Sequence, residues 1–181
     1  QAREANDFKA FQPHLEKVVG LAKEKADLLG HKGEAYDALL NEYEPDMPAA
    51  TVAKVFDDLA KELVPLVDAI TAKKSPDDSF LKQAFPLAAQ EQYGKSVLQA
   101  MGYDFSAGRL DVVAHPFCTT LGRKDVRTTT HYHEEDFTKS LYSVIHEGGH
   151  ALYEMGFGDD LPDALADGTS LGVHESQSRT W

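Results

Sequence analysis

Apolar side chains recur every three or four positions through most of the first hundred residues, which is the spacing of one helical face. The pattern predicts four helices, over residues 7–29, 34–43, 49–72 and 86–101. Gly30 is a helix-stop residue after the first, and Pro45 and Pro48 end the second. On the third helix we expect the following apolar residues to face inward: Val52, Val55, Phe56, Leu59, Leu63, Leu66, Val67 and Ile70.

The pattern changes between residues 103 and 133, where Gly, Thr, Val and aromatic residues replace the helical spacing. Residues 126–132 are rich in β-formers, which predicts a small sheet or hairpin. Helical spacing returns over residues 137–153, a Gly/Asp/Pro loop follows over 156–168, and a last helix is predicted over 173–181. We therefore predict a mainly α fold with a small sheet before the helix at 137–153.

The length of 181 residues, with 42% hydrophobic content, fits a single domain with one core. Within it we predict a helical scaffold over residues 1–102, followed by the sheet and metal-binding helices over 103–181. The first residue is not an initiator Met and the last residues carry no helix-stop signal. We expect the chain to be a fragment, cut from a longer protein at both ends.

Charge and cysteine content exclude several classes of partner. The 18 basic residues against 30 acidic ones give a net charge of −12, so we expect neither a nucleic acid nor an anionic membrane as partner. The only cysteine, Cys118, cannot form an internal disulfide, and no apolar run approaches the ~20 residues that cross a bilayer. We expect a soluble protein of a reducing compartment, the cytoplasm.

A His-Glu-x-x-His motif lies in the helix predicted over 137–153. His146 and His150 are four residues apart, so on a helix they project from one face and can share a metal ion. Glu147 lies beside the first histidine, where a carboxylate can take a proton from a metal-activated water and pass it to a leaving amine. That is the chemistry of peptide hydrolysis.

Two features favour a metal site over a helix with two surface histidines. Gly148 and Gly149 in mid-helix cost roughly 1 kcal/mol each relative to Ala, which indicates that another backbone, a ligand or the metal's surroundings approach closely. The residues that flank the two histidines are apolar, and a buried ionisable pair needs a partner.

A catalytic zinc ion usually has three protein ligands and one open position. No third His follows at the short metzincin spacing, so we expect a carboxylate from a later helix, for which Glu175 is the candidate. Glu154, one turn beyond His150, is expected to support the site or be exposed. Four loop aspartates are closer in sequence but are expected to be solvated: Asp159, Asp160, Asp163 and Asp167.

Four motifs occur in the order that marks the carboxypeptidase Taq family: His115-Pro116-Phe117, Asp125-Val126-Arg127-Thr128-Thr129, His146 to His150, and His174-Glu175-Ser176-Gln177. The resemblance spans nearly the whole chain. It implies that His146, His150 and Glu175 bind Zn²⁺, for which Co²⁺ could substitute, and that Glu147 is the general base. The implied reaction is the release of C-terminal amino acids from peptides, by a protein that is a homodimer at full length.

The resemblance also places His115 and Arg127 near the active site, where an imidazole could donate to the oxyanion and a guanidinium could hold a carboxylate. Each has a structural alternative, because His115 could fix a turn and Arg127 could pair with Asp125 across the hairpin. His131 and His133 have no counterpart in the family, and we expect them to be exposed polar residues.

Our interpretation of the sequence is a zinc metallocarboxypeptidase that acts on peptides. Two alternatives remain: a helical metallo-oligopeptidase that cuts internally, and a catalytically inert helical domain that binds a metal or a protein partner. The family is much longer, and its later motifs are absent from this chain together with the arginine expected for a terminal carboxylate. We therefore expect the fragment itself to be weakly active or inactive.

Overall fold

The computed structural model of the protein describes residues 2–181, apart from the side chain of Asp163. The prediction that the Asp163 carboxylate is solvated therefore concerns a group outside the described residues. The fold is mainly α with a small sheet, which confirms the predicted class. The elements are α1 Phe8–Leu29, α2 Ala35–Leu40, α3 Ala49–Thr71, α4 Leu87–Met101, β1 Gly108–Val112, β2 Cys118–Gly122, β3 Asp125–Thr130, α5 Phe137–Met155 and α6 Leu171–Thr180.

The helix positions follow the local signals in the sequence. Asp7 caps α1 by accepting a hydrogen bond of 3.1 Å from the backbone N–H of Ala10, and Gly30 ends the helix at φ 80°. The second helix, α2, is six residues long and therefore shorter than predicted. The third helix, α3, continues through Pro65.

The prediction that the apolar face of α3 points inward was wrong. No residue of α3 is buried, and of the eight apolar residues only Val52 is even half-buried. Helical periodicity identifies a face that is suited to burial, but it carries no information about what packs on that face.

The chain divides into two compact units, Gln1–Lys74 and Ser75–Trp181. The first contains α1 to α3. The second contains α4, the sheet, α5 and α6, and within it α4 packs against α5. The predicted division into a scaffold over residues 1–102 and a metal-binding part over 103–181 stays a prediction. A single domain over all 181 residues stays a prediction. No helix in the described part of the chain has both the length and the apolar character that crossing a membrane demands.

The sheet has the strand order β1-β3-β2, in which β3 pairs parallel with β1 and antiparallel with β2. Because β3 is central and α5 packs on the sheet, Val126 is fully buried, and so is Val144 on the helix. Leu98 on α4 completes this core. The phenol of Tyr103 is also buried and donates a 2.6 Å hydrogen bond to the carbonyl of Val126; burial raises its pKa to about 12.

A buried amide fastens α4 to the start of α5. The Gln90 side-chain nitrogen donates to the carbonyls of Phe85 and His133, both at 2.8 Å. Its amide oxygen accepts a 2.7 Å hydrogen bond from the hydroxyl of Ser140. Asp136 caps α5 by accepting a hydrogen bond of 3.1 Å from the backbone N–H of Thr138. These bonds hold the helix that carries the His-Glu-x-x-His motif against its neighbours.

Candidate metal centre

One face of α5 presents the two histidines of the motif. The rings of His146 and His150 lie 4.8 Å apart, centroid to centroid, one helical turn from each other. Both side chains are only partly exposed, 34% for His146 and 14% for His150. Their Nε2 atoms are directed to the same third group, the carboxylate of Glu175 on α6.

Glu175 places one oxygen 3.7 Å from Nε2 of His146 and the other 3.7 Å from Nε2 of His150. Donor atoms of the three side chains all lie within 4.8 Å of one another. Atoms bound at about 2.1 Å to one tetrahedral ion lie about 3.4 Å apart, and the two separations of 3.7 Å are close to that value. Two imidazoles and one carboxylate are a donor set of catalytic zinc sites.

The glycines of the motif permit the contacts that bring these elements together. A Cβ atom on Gly149 would lie 2.6 Å from the Cα of Ser178, so α6 approaches the backbone of α5 at this residue. A Cβ on Gly148 would lie 2.6 Å from Cδ2 of Leu98, on α4. The close approach that the two glycines indicated is therefore present on both sides of α5.

Glu147 lines the same cleft but is buried, with 8% of the residue exposed. Burial raises the pKa of its carboxyl group to about 7, and the negative charge of Glu175 acts in the same direction. The backbone N–H of Cys118 on β2 donates to the carboxylate and opposes the shift. A carboxyl group with this pKa can exchange a proton readily near neutral pH.

The surroundings of the His150 imidazole favour its neutral form. Burial lowers its pKa, and the neighbouring rings of His174 and His146 add to the effect, while Glu175 and Glu154 oppose it. A neutral imidazole has the free nitrogen lone pair that binding a metal requires.

These residues line an open cleft of about 590 Å³, within the usual size of ligand sites. One wall is formed by residues 115–120, which lead into β2 and form its first half. The opposite wall is formed by α5, α6 and Asp167 in the loop between them. No Lys or Arg is among the described residues that line this cleft.

His115 and Arg127 are placed differently. His115 is exposed and lines the cleft together with His146 and His150. Arg127 does not line it; its guanidinium donates to both carboxylate oxygens of Asp125, at 2.6 and 2.7 Å. The pairing with Asp125 is the structural alternative that the sequence left open, and contact of either residue with substrate stays a prediction.

The expectation that His131 and His133 are exposed was wrong, because both are half-buried. Nδ1 of His131 lies 2.7 Å from the carbonyl oxygen of Val113. The backbone N–H of Val113 donates to the carbonyl of Thr130, so the ends of β1 and β3 are adjacent here. The ring centroids of His131 and His133 lie 4.7 Å apart, with the two planes tilted by 58°. Among the loop aspartates whose side chains are described, Asp159 and Asp160 are exposed, and only Asp167 reaches the cleft.

Sequence reasoning assigned no role to His174, which contacts His150 directly. The Nδ1 atoms of the two rings are 2.5 Å apart, and Nε2 of His174 is 2.6 Å from the carboxylate of Glu154. The spacing of four residues between His150 and Glu154 was a signal that both lie on one helical face. The position of His174 depends on how α6 docks, for which the sequence has no local signal.

Comparison with known proteins places these features in one family. The model of the carboxypeptidase Taq (M32) metallopeptidase family matches residues 1–181. The chain is 42% identical over 180 residues to carboxypeptidase 1 of Bacillus subtilis, covering 98% of this chain and 36% of that protein. It is 44% identical over 192 residues to thermostable carboxypeptidase 1 of Thermus thermophilus, covering 100% of this chain and 38% of that protein.

Solved structures of carboxypeptidases superpose on the chain as well. An M32 carboxypeptidase from Deinococcus radiodurans R1 superposes with a TM-score of 0.88 at 45% identity, covering 100% of this chain and 37% of that one. A Pyrococcus furiosus carboxypeptidase superposes with a TM-score of 0.85 at 41% identity, covering 99% and 37%. The chain thus spans little more than a third of the length of the relatives that it matches.

Proposed function

Because the chain belongs to the carboxypeptidase Taq (M32) metallopeptidase family, we propose that it carries the metal site of a zinc metallocarboxypeptidase, which removes C-terminal amino acids from peptides. The observation that carries this proposal is the convergence of His146, His150 and Glu175 within 4.8 Å of one another, beside a buried Glu147. Family membership alone implies a metallopeptidase. The arrangement of donors is what favours zinc.

In the proposed site, Zn²⁺ is held by Nε2 of His146, Nε2 of His150 and the carboxylate of Glu175. When bound there, it would polarise the scissile carbonyl and make water more acidic. Co²⁺ prefers a similar set of nitrogen and carboxylate donors and is the expected substitute.

Glu147 is the proposed general base. Its carboxylate accepts a proton from the attacking water and returns it to the amine of the departing amino acid. A pKa of about 7 suits both steps, because the group is then neither too weak a base nor too weak an acid at neutral pH. The hydrogen bond from the N–H of Cys118 fixes the carboxylate against β2 while it exchanges that proton.

His115 is the proposed donor to the oxyanion that forms as the carbonyl is attacked, since it lines the same cleft. Arg127 is the proposed cation for a substrate carboxylate, and for this it would have to exchange Asp125 for the substrate. On the family resemblance we further propose a cytoplasmic enzyme that is a homodimer at full length.

The test separates this function from the two alternatives by its products. A set of peptides, each prepared with a free and an amidated C-terminus, is incubated with the protein in its full length, with zinc or with a chelator. We expect single amino acids from the free C-terminus, with release blocked by amidation and by the chelator. Internal fragments that are insensitive to amidation would establish the oligopeptidase instead, and zinc binding without products would establish the inert metal-binding domain.

A further inference from the structure

Four side chains that line the same cleft as the proposed metal site form a continuous hydrogen-bonded series that begins at His150. Nδ1 of His150 faces Nδ1 of His174 at 2.5 Å, and Nε2 of His174 faces Oε1 of Glu154 at 2.6 Å. The other oxygen of Glu154 accepts a 2.9 Å hydrogen bond from the hydroxyl of Thr120 on β2. The series therefore connects the sheet, α5 and α6 to Nδ1 of His150.

The protons in this series can be assigned from its ends. A carboxylate only accepts hydrogen bonds, so Nε2 of His174 must carry a proton to donate to Glu154. In a neutral His174, Nδ1 is then a lone pair, and the proton between the two rings belongs to Nδ1 of His150. A neutral His150 with its proton on Nδ1 has its free lone pair on Nε2, the atom that faces Glu175.

The series is shielded from solvent and sterically held. The side chain of His174 is 18% exposed and that of Glu154 is 9% exposed. The ring of Tyr153 packs edge-on against the ring of His174 at 4.9 Å. On another side, a Cβ added to Gly168 would lie 2.8 Å from Cδ2 of His174, so only glycine leaves space for the ring there.

We propose that Glu154 and His174 are positioning residues that fix the tautomer and the ring orientation of His150 for metal binding. The inference rests on the proposed function, because it assumes a metal at His146, His150 and Glu175. Hydrogen bonds from a metal-binding imidazole to a carboxylate are a common support of such sites, and their loss typically weakens metal binding about 10- to 100-fold. Here the support is indirect, since an imidazole stands between the ligand and the carboxylate.

His174 also links two ligands of the site. It precedes Glu175 on α6, so the contact of its ring with His150 fixes the rotation of α6 about its axis at the residue next to the third ligand. Losing the ring should therefore affect both His150 and Glu175, whereas losing Glu154 should affect His150 through His174 alone.

The experiment measures the Kd for Zn²⁺ by competition with a chromophoric chelator at pH 7, on the full chain freed of metal. We expect Glu154→Ala and His174→Phe each to raise the Kd about 10- to 100-fold. Glu154→Gln keeps an acceptor oxygen for His174 and should raise it less than tenfold. The matched control is Tyr153→Phe, which keeps the ring that packs on His174 and should stay within threefold of wild type.

A double variant tests whether Glu154 acts on His150 through His174 or whether the two residues support the site independently. If Glu154 acts through His174, then Glu154→Ala combined with His174→Phe should bind Zn²⁺ within threefold of His174→Phe alone. If the two changes multiply, the residues act independently and the proposal is overturned. A second readout is the d–d absorption of bound Co²⁺, which should change in Glu154→Ala and be largely restored in Glu154→Gln.

Three further outcomes can be told apart. Thermal unfolding of the metal-free protein would reveal whether His174→Phe folds. If it does not fold, the zinc affinities of Glu154→Ala and Glu154→Gln still test the proposal, and equal affinities overturn it. If His146→Ala binds Zn²⁺ as tightly as wild type, the metal lies elsewhere and the proposed function fails before the positioning role is considered. If wild type binds Zn²⁺ tightly and the Glu154 and His174 variants bind it equally tightly, the positioning role is rejected while the proposed function stands.

Discussion

At the scale of single residues, the surroundings of Glu147 differ most from those of an ordinary helical carboxylate. It is buried beside a second acidic group, and its pKa is raised to about 7. The same burial that makes the carboxyl group a stronger base also leaves it a donor for the reverse transfer. One side chain can therefore serve both halves of peptide hydrolysis.

We predict that Glu147→Gln retains zinc and loses most of its activity, because an amide can still accept a hydrogen bond from water but cannot take its proton. General-base removal should lower kcat by ~10² to 10⁴. The measurement is kcat on a blocked dipeptide at equal zinc occupancy. Glu91→Gln, which removes a half-exposed carboxylate paired with Lys95 on α4, is the control. A kcat for Glu147→Gln within threefold of wild type would remove Glu147 from the mechanism.

Cys118 lines the cleft, yet we predict that it is chemically inert. Burial raises the pKa of its thiol to about 12, and the charges of Glu147 and Glu154 add to the shift. Since the thiolate is the reactive form, alkylation by iodoacetamide at pH 8 should be at least about a hundredfold slower than that of a free cysteine of ordinary pKa. The same protein unfolded in denaturant is the control, and equal rates in both states would contradict the predicted burial effect.

Residue identities in the site were predictable to different degrees. His146, Glu147 and His150 follow from helical periodicity and the chemistry of the side chains, which need only local structure. Glu175 was a candidate because it lies on a later predicted helix while the nearer aspartates lie in a loop, and the order of motifs in a family supported that choice. The contact of His174 with His150 was not predictable, because it depends on how two helices pack and on which ring nitrogens face each other.

At the scale of the elements, the packing of α6 on α5 decides whether Glu175 reaches His146 and His150. The approach is closest at Gly149, where a side chain would meet the backbone of Ser178. On the opposite side of α5, Gly148 meets only the end of the Leu98 side chain and the side chain of Met101. A side chain added at Gly148 would displace only mobile side-chain ends, whereas one added at Gly149 would displace the backbone of α6.

We predict that Gly149→Ala destabilises the protein by about 1 to 3 kcal/mol and weakens zinc binding, because α6 must move and take Glu175 with it. Gly148→Ala is the matched control on the same helix and should weaken zinc binding less, since side-chain ends can rotate away. Gly20→Ala on α1, where nothing lies within 4 Å, should stabilise by roughly 0.5 to 1 kcal/mol. Denaturant unfolding and zinc competition measure both effects. Equal zinc affinities for the two motif variants would refute the packing argument.

Element prediction succeeded where the signal was local. The bounds of α1, α3 and α4 lie within one residue of those predicted, because caps, glycine and proline mark them. The sequence indicated a sheet but not its order: β1 pairs in parallel with β3, while β2 lies on the other side of β3. Pairing between strands that are not adjacent in sequence has no local signal, and neither does the docking of α4 against α5.

At the scale of the whole molecule, the apolar residues of the first unit and the composition of the cleft stand out. The described α3 has no buried residue although its sequence has a clear apolar face. Large apolar side chains on α1 are exposed as well, among them Phe8, Val18 and Leu28. Exposed apolar surface on this scale is typical of a region that packs against other protein. Periodicity identified an apolar face on α3, but it could not predict whether anything in the described chain packs on that face.

The described residues that line the cleft include no Lys or Arg, and Arg127, the proposed cation for a substrate carboxylate, is held by Asp125. We therefore predict that the 181-residue chain assayed alone is a poor carboxypeptidase even with zinc bound, because the peptide is not positioned. Its kcat/KM on a blocked dipeptide should be more than tenfold below that of the full-length relative from Bacillus subtilis. A value within tenfold, at equal zinc occupancy, would mean that His115, Arg127 and the metal site suffice.

The most direct test of the account is the coordination shell of the metal, determined from a crystal structure of the protein grown with zinc. We predict one ion bound by Nε2 of His146, Nε2 of His150 and the carboxylate of Glu175, each at about 2.0 to 2.2 Å. Glu147 should lie close to the ion without binding it. Zinc ligated by Asp159, Asp160 or Asp163 in place of Glu175, or bound away from His146 and His150, would contradict the proposed site and the chemistry derived from it.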